Sequence, residues 1–134
     1  MSWFARRIAS EEGAAAVEFA LVIGILVLLL VGIVQFGHVF NQWQQLEHAT
    51  REGARWASLR NSSSDVRAVT QAAAPGLPLT AGAISVSPDP TTAVTGAAVT
   101  VSASVQVPVF APIMARFLGQ TVNLRATATQ RVEG

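Results

Sequence analysis

The strongly apolar residues of this chain are gathered in one block. From Phe19 to Val34 every residue is apolar or glycine, and the run reaches back to Ala14 if the single charge of Glu18 is counted within it. About 20 consecutive apolar residues cross a bilayer as a helix, so 14–40 reads as a transmembrane helix; a globular core would instead spread Leu, Ile and Val along the whole chain. The helical period continues past the membrane segment. Through Gln35–Leu59 the apolar or small residues Phe36, Val39, Phe40, Trp43, Leu46, Ala49, Gly53 and Ala57 recur at spacings of three and four, while Gln42, Gln45, Glu47, Arg51, Glu52 and Arg55 occupy other faces. One helix is therefore expected from Ala14 to Leu59, roughly 70 Å long and about twice what a bilayer needs. Its second half, 41–60, must pack on something else.

After the Asn61–Ser64 break the pattern changes. Ser64 or Asp65 can cap a short second helix over Val66–Ala74, ended by Pro75-Gly76. Period two then takes over. Ile84 and Val86 share one face of Ala83–Ser87, and the Pro88–Thr92 loop follows. In Ala98–Val107 the series Val99, Val101, Ala103, Val105, Val107 opposes Thr100, Ser102, Ser104, Gln106; in Gln120–Val132, Val122, Leu124, Ala126, Ala128 and Val132 oppose polar positions. These read as half-buried antiparallel strands whose apolar face covers the outer half of the long helix. The apolar link Pro108–Gly119, with Phe110, Ile113, Met114, Phe117 and Leu118, is expected to be a loop or short helix capping that core. The predicted class is α+β: a long N-terminal transmembrane and amphipathic helix, a short second helix, and a small three-stranded antiparallel sheet packed on the exported half of the first.

Charge narrows the function. Nine basic residues, all Arg, face eight acidic ones for a net charge of +1, so no basic face for nucleic acid is expected. Arg6 and Arg7 precede the apolar run and no Arg follows until Arg51; the positive-inside rule then keeps the N-terminus in the cytoplasm and exports 61–134. The chain has no Cys and no Lys, which removes thiol chemistry, thiolate metal sites and amine catalysis together. His38 and His48, ten residues apart on a helix, lie about 15 Å from each other along the axis and cannot share a metal. No catalytic constellation, no metal site and no cofactor is expected.

The leader and the helix carry the remaining candidates. Glu18 sits one turn inside an apolar helix, where an ionised carboxylate is costly without a partner. It either snorkels to the interface as part of an uncleaved anchor or pairs with an α-amine created by cleavage between Gly13 and Ala14. Ala16, Ala20, Gly24 and Gly32 form a small-residue stripe along which helices can approach closely in lipid. Arg51, Glu52 and Arg55 form either a solvated charge cluster or an intersubunit contact.

Two motifs resemble one family. Gly13-Ala14-Ala15-Ala16-Val17-Glu18-Phe19-Ala20-Leu21 is similar to the prepilin processing signature, and Ala49-Thr50-Arg51-Glu52-Gly53-Ala54-Arg55-Trp56-Ala57 to the Ala-x-Arg-Glu-Gly-Ala-Arg-x-Ala segment of the TadE-like minor pilins and pseudopilins of Tad (Flp, type IVc) pilus systems. The resemblance covers about the first 60 residues, the sheet fitting only loosely, and Phe19 with the added domain favours a minor pilin over a main filament subunit. It implies a cytoplasmic leader 1–13 trimmed by a prepilin peptidase at Gly13/Ala14, an assembly register at Glu18 and Phe19, and an interaction segment at Arg51, Glu52, Gly53 and Arg55. The implied partners are the lipid bilayer, the prepilin peptidase, other pilin or pseudopilin subunits and the pilus assembly platform, at a bacterial inner membrane with the C-terminal domain periplasmic or carried out in the pilus. The alternative is an uncleaved single-pass anchor bearing a periplasmic receptor-like module.

Overall fold

The computed structural model of the chain describes the backbone of residues 2–133, and within it the side chains of residues 13–116 and 119–133. Met1 and the side chains of the leader, Arg6 and Arg7 among them, lie outside the described residues, as do those of Phe117 and Leu118. The element order is α1 (Ser2–Ser58), α2 (Ser63–Ala72), β1 (Ile84–Ser87), β2 (Ala98–Pro108), α3 (Pro112–Leu118) and β3 (Thr121–Arg131), with one 3-10 turn at Ala81–Ala83. The architecture is the α+β arrangement expected from the sequence. Helix α1 begins at Ser2 rather than Ala14, and the chain divides into two compact units, Met1–Phe36 and Gly37–Gly134.

In the second unit the helical stripe meets the sheet. Leu46, Ala49, Thr50, Gly53, Ala54, Ala57 and Ser58 are buried at spacings of three and four, and the helix residues join Val99, Val101, Ala103, Val105, Val107, Leu124 and Ala126 in one apolar core. Val39 and Trp43 pack at its margin, whereas Phe40, also expected in the stripe, is exposed. Phe36, in the first unit, is exposed as well. The stripe is made mostly of Ala and Gly, which keeps the helix axis close to the strands. Its hydroxyls spend their donors on their own helices: Thr50 Oγ1 donates to the Glu47 carbonyl at 3.0 Å and Ser58 Oγ to the Arg55 carbonyl at 2.7 Å.

Arg60 ends the helix in the left-handed region at φ 63°, the position where glycine is usual. Its guanidinium compensates by donating to Thr95 Oγ1 at 2.8 Å and to the Glu133 carbonyl at 3.4 Å. Helix α2 starts earlier than the sequence reading placed it. Ser62, not Ser64 or Asp65, is the N-cap: its Oγ accepts from the Asp65 amide at 3.2 Å while its hydroxyl donates to the Asp65 carboxylate. The Ser62 hydroxyl thus satisfies one of the orphan backbone donors at the helix start, while the Asp65 carboxylate holds that hydroxyl in place. The helix stops at Ala72, with Ala73 still in helical conformation as its C-cap, ahead of Pro75.

The sheet is antiparallel in the order β1-β2-β3. Its register sets Ile84 opposite Ala103 and Val86 opposite Val101, then Val101 opposite Ala128, Ala103 opposite Ala126 and Val105 opposite Leu124, so the apolar alternations of all three strands coincide on the face toward α1. The other face is polar and carries a Thr100–Thr129 hydroxyl pair at 2.9 Å. The link Pro108–Gly119 does contain a short helix, α3; among its described side chains Ala111 is buried and Met114 half-buried, while Phe110 and Ile113 are exposed.

Candidate functional site

In the first unit the candidate residues lie on an open apolar surface. Every side chain from Gly13 to Leu30 is exposed, and the helix is the one span among the described residues that is long and apolar enough to cross a membrane by length and composition. Glu18 is the one acid of that surface. Helical side chains lean toward the N-terminus, so its carboxylate covers the turn that holds Ala14. Phe19 beside it is exposed. Ala16, Ala20 and Gly24 are exposed and Gly32 is half-buried. An added Cβ at Gly13 or Gly24 would meet nothing within 4 Å, so nothing inside the folded chain demands glycine at either position.

Gly53 is the opposite case. An added Cβ there would collide with the Thr70 hydroxyl, lie 3.3 Å from Thr70 Cβ and 3.4 Å from Val101 Cγ1. Thr70 cannot turn away cheaply, because its Oγ1 is buried and donates to the Val66 carbonyl at 2.7 Å. Gly53 is therefore the point at which α1, α2 and β2 come together. Ala54 next to it is fully buried, while Arg51 and Arg55 are exposed and Glu52 is half-buried. The segment thus splits by face: Gly-Ala inward, arginines outward. Arg51 reaches Glu47 one turn back at 3.4 Å rather than Glu52, and borders an open polar cleft with Thr50 and Thr127–Gln130 of β3. The two histidines are apart: the His38 ring stands edge-on to Phe110 with centroids 5.8 Å apart and lies 3.0 Å from Gln42 Nε2, while His48 is exposed. Among the described residues no group of three or more His, Cys, Asp or Glu is placed to hold a metal.

Glu18 and the Gly53 contact fall within one stretch of α1. Residues 13–55 match the family model described as TadE-like protein. The resemblance read from the two motifs is borne out by this match, which opens at Gly13 and closes at Arg55, inside α1. The matched stretch thus comprises the apolar run and most of the half of the helix that enters the core; Ala57, Ser58, α2, the sheet and α3 lie beyond it. No curated protein and no solved structure matches the chain. Sequence reasoning pointed to the second TadE-like motif as an interaction segment and missed the role of Thr70 and Val101, which no local pattern ties to Gly53.

Proposed function

We propose that the chain is a membrane-inserted minor pilin or pseudopilin, without enzymatic activity, that takes part in assembling or priming a Tad-type pilus used for adhesion or secretion. The observation that carries this reading is the TadE-like match over 13–55, and the remaining features agree with it. The apolar helix supplies a single-pass anchor at the bacterial inner membrane, and Arg6 and Arg7 ahead of it favour a cytoplasmic N-terminus. Gly13 stands in open space at the edge of the apolar run, so its glycine is explained by an outside reader, a prepilin peptidase that cuts between Gly13 and Ala14. The new amine of Ala14 is then one turn from the Glu18 carboxylate. In a bundle of such helices an offset neighbour can take that pair across subunits, turning a costly charge into a register. The stripe Ala16, Ala20, Gly24 and Gly32 lets the helices approach, with Arg51 and Arg55 offered outward to the other pilin subunits and the assembly platform.

The test is the N-terminal mass of the protein purified from its own cells. A mature chain beginning at Ala14 is expected. A chain retaining Met1–Gly13 in cells with an active prepilin peptidase would overturn the reading in favour of an uncleaved anchor bearing a binding module.

A further inference from the structure

The register pairs Pro108 with Thr121, so a tight turn could close the β2–β3 hairpin at that point. The chain instead makes an apolar excursion through Val109–Gln120, in which Ala111 is buried but Phe110 is 55% and Ile113 57% exposed. Exposed apolar side chains grouped in one segment mark a surface that meets something. The position of the segment says what. Phe110 packs edge-on to His38, and His38 is four residues from Val34, the end of the apolar run. Even fully extended, four residues reach no more than about 14 Å, so the excursion is tethered to the point where the chain leaves the bilayer. Its one charged residue, Arg116, is exposed and basic, the sign that anionic headgroups attract. Apolar side chains beside a cation are the composition of an interfacial contact.

We infer that the α3 segment is a second membrane contact, in which Phe110 and Ile113 enter the bilayer interface and Arg116 meets anionic lipid headgroups. This contact holds the exported domain against the membrane before assembly. The inference rests on the proposed insertion of the apolar helix, and its test separates the two.

The chain has no cysteine, so Leu28→Cys, Ile113→Cys and Val94→Cys each create a single site for an environment-sensitive fluorophore. Val94 is the control: it is apolar and 75% exposed, in the turn beside Thr95, whose hydroxyl accepts from Arg60 at the other end of the helix stripe. The labelled full-length chain is reconstituted in vesicles of phosphatidylcholine and phosphatidylglycerol with or without brominated acyl chains. Strong quenching by the brominated lipid is expected at positions 28 and 113, and none at 94. Loss of quenching at 28 would overturn insertion, and the inference with it. Quenching at 28 with position 113 behaving like 94 would overturn the inference alone, and would be the result if the segment docks on another protein, since these vesicles hold only this chain. Arg116→Glu should lower quenching at 113 toward the control while leaving 28 unchanged; undiminished quenching would remove the headgroup contact from the account.

Discussion

Gly13 and Gly53 are glycines of the same helix, and they answer to different constraints. Around Gly13 there is open space; around Gly53 there are Thr70 and Val101. The difference extends to the helix segments that carry them. Gly13–Leu30 exposes every side chain, whereas Leu46–Ser58 buries a stripe of small residues against the strands. One half leaves its apolar surface open and is long and apolar enough to cross a membrane by length and composition. The other is the spine of a small domain whose three strands would be marginal without it. A helix can thus be continuous in backbone and divided in purpose, because hydrogen bonding along the backbone is local and burial is not.

The largest effects are expected from the exposed half, and they should leave the domain untouched. Glu18→Leu should still insert and be trimmed, yet fail to enter pili, an all-or-none loss read as pilus number and co-purified partner pilins, while the thermal unfolding of the domain stays at the wild-type temperature. Normal piliation with this variant as the only copy would return Glu18 to the role of a tolerated interfacial acid; a lowered melting temperature would break the division between the halves.

Placing the same side chain at both glycines tests that division directly. Gly53→Val should cost about 3 kcal/mol of stability through overpacking, seen as a lower midpoint in thermal or denaturant unfolding of the detergent-solubilised chain. Pairing Gly53→Ala with Thr70→Ala should recover part of the loss of Gly53→Ala alone, since the clashing hydroxyl is gone. Gly13→Val should leave unfolding unchanged but keep the leader attached. Equal destabilisation by the two valines would show that both glycines serve the fold.

Smaller effects belong to the loops of the domain. Ser62→Ala removes the N-cap of α2 and should cost about 1 kcal/mol, measured in the same unfolding experiment. Smallest is the pH response of Asp89. Its carboxylate accepts from the Thr91 hydroxyl at 2.8 Å and the Thr91 amide at 3.0 Å, and these bonds, the hydroxyl first, hold its pKa below the ordinary 3.8. A depressed folded pKa means that the unfolded chain binds the proton more readily, so the contribution is present above 3.8 and is lost as the pH falls through the folded value. Asp89→Asn should slightly flatten the acid limb of melting temperature against pH, and an unaltered limb would mean the turn is held by Pro90 and its neighbours.

Much of this molecule was legible as pattern. The apolar run, the three-and-four spacing of Leu46, Ala49, Gly53 and Ala57, and the alternation through Val99–Val107 and Val122–Ala128 each report one element meeting one kind of surface, and that preference is written locally in the residues themselves. The motifs at Gly13 and Arg51 likewise placed the TadE-like stretch. What only the tertiary structure decided are the meetings between elements distant in sequence. Gly53 is held by Thr70 and Val101, the face of the Arg-Glu-Gly-Ala-Arg segment divides into packing and display, and Arg51 turns to Glu47. The cap settles on Ser62, whose Oγ accepts from the Asp65 amide. In the apolar link between β2 and β3 it is Ala111 that is buried while Phe110 and Ile113 stay exposed. Periodicity states that a side chain needs an apolar neighbour; which neighbour it finds depends on volume and register across the packed interface, and those exist only once the chain has folded.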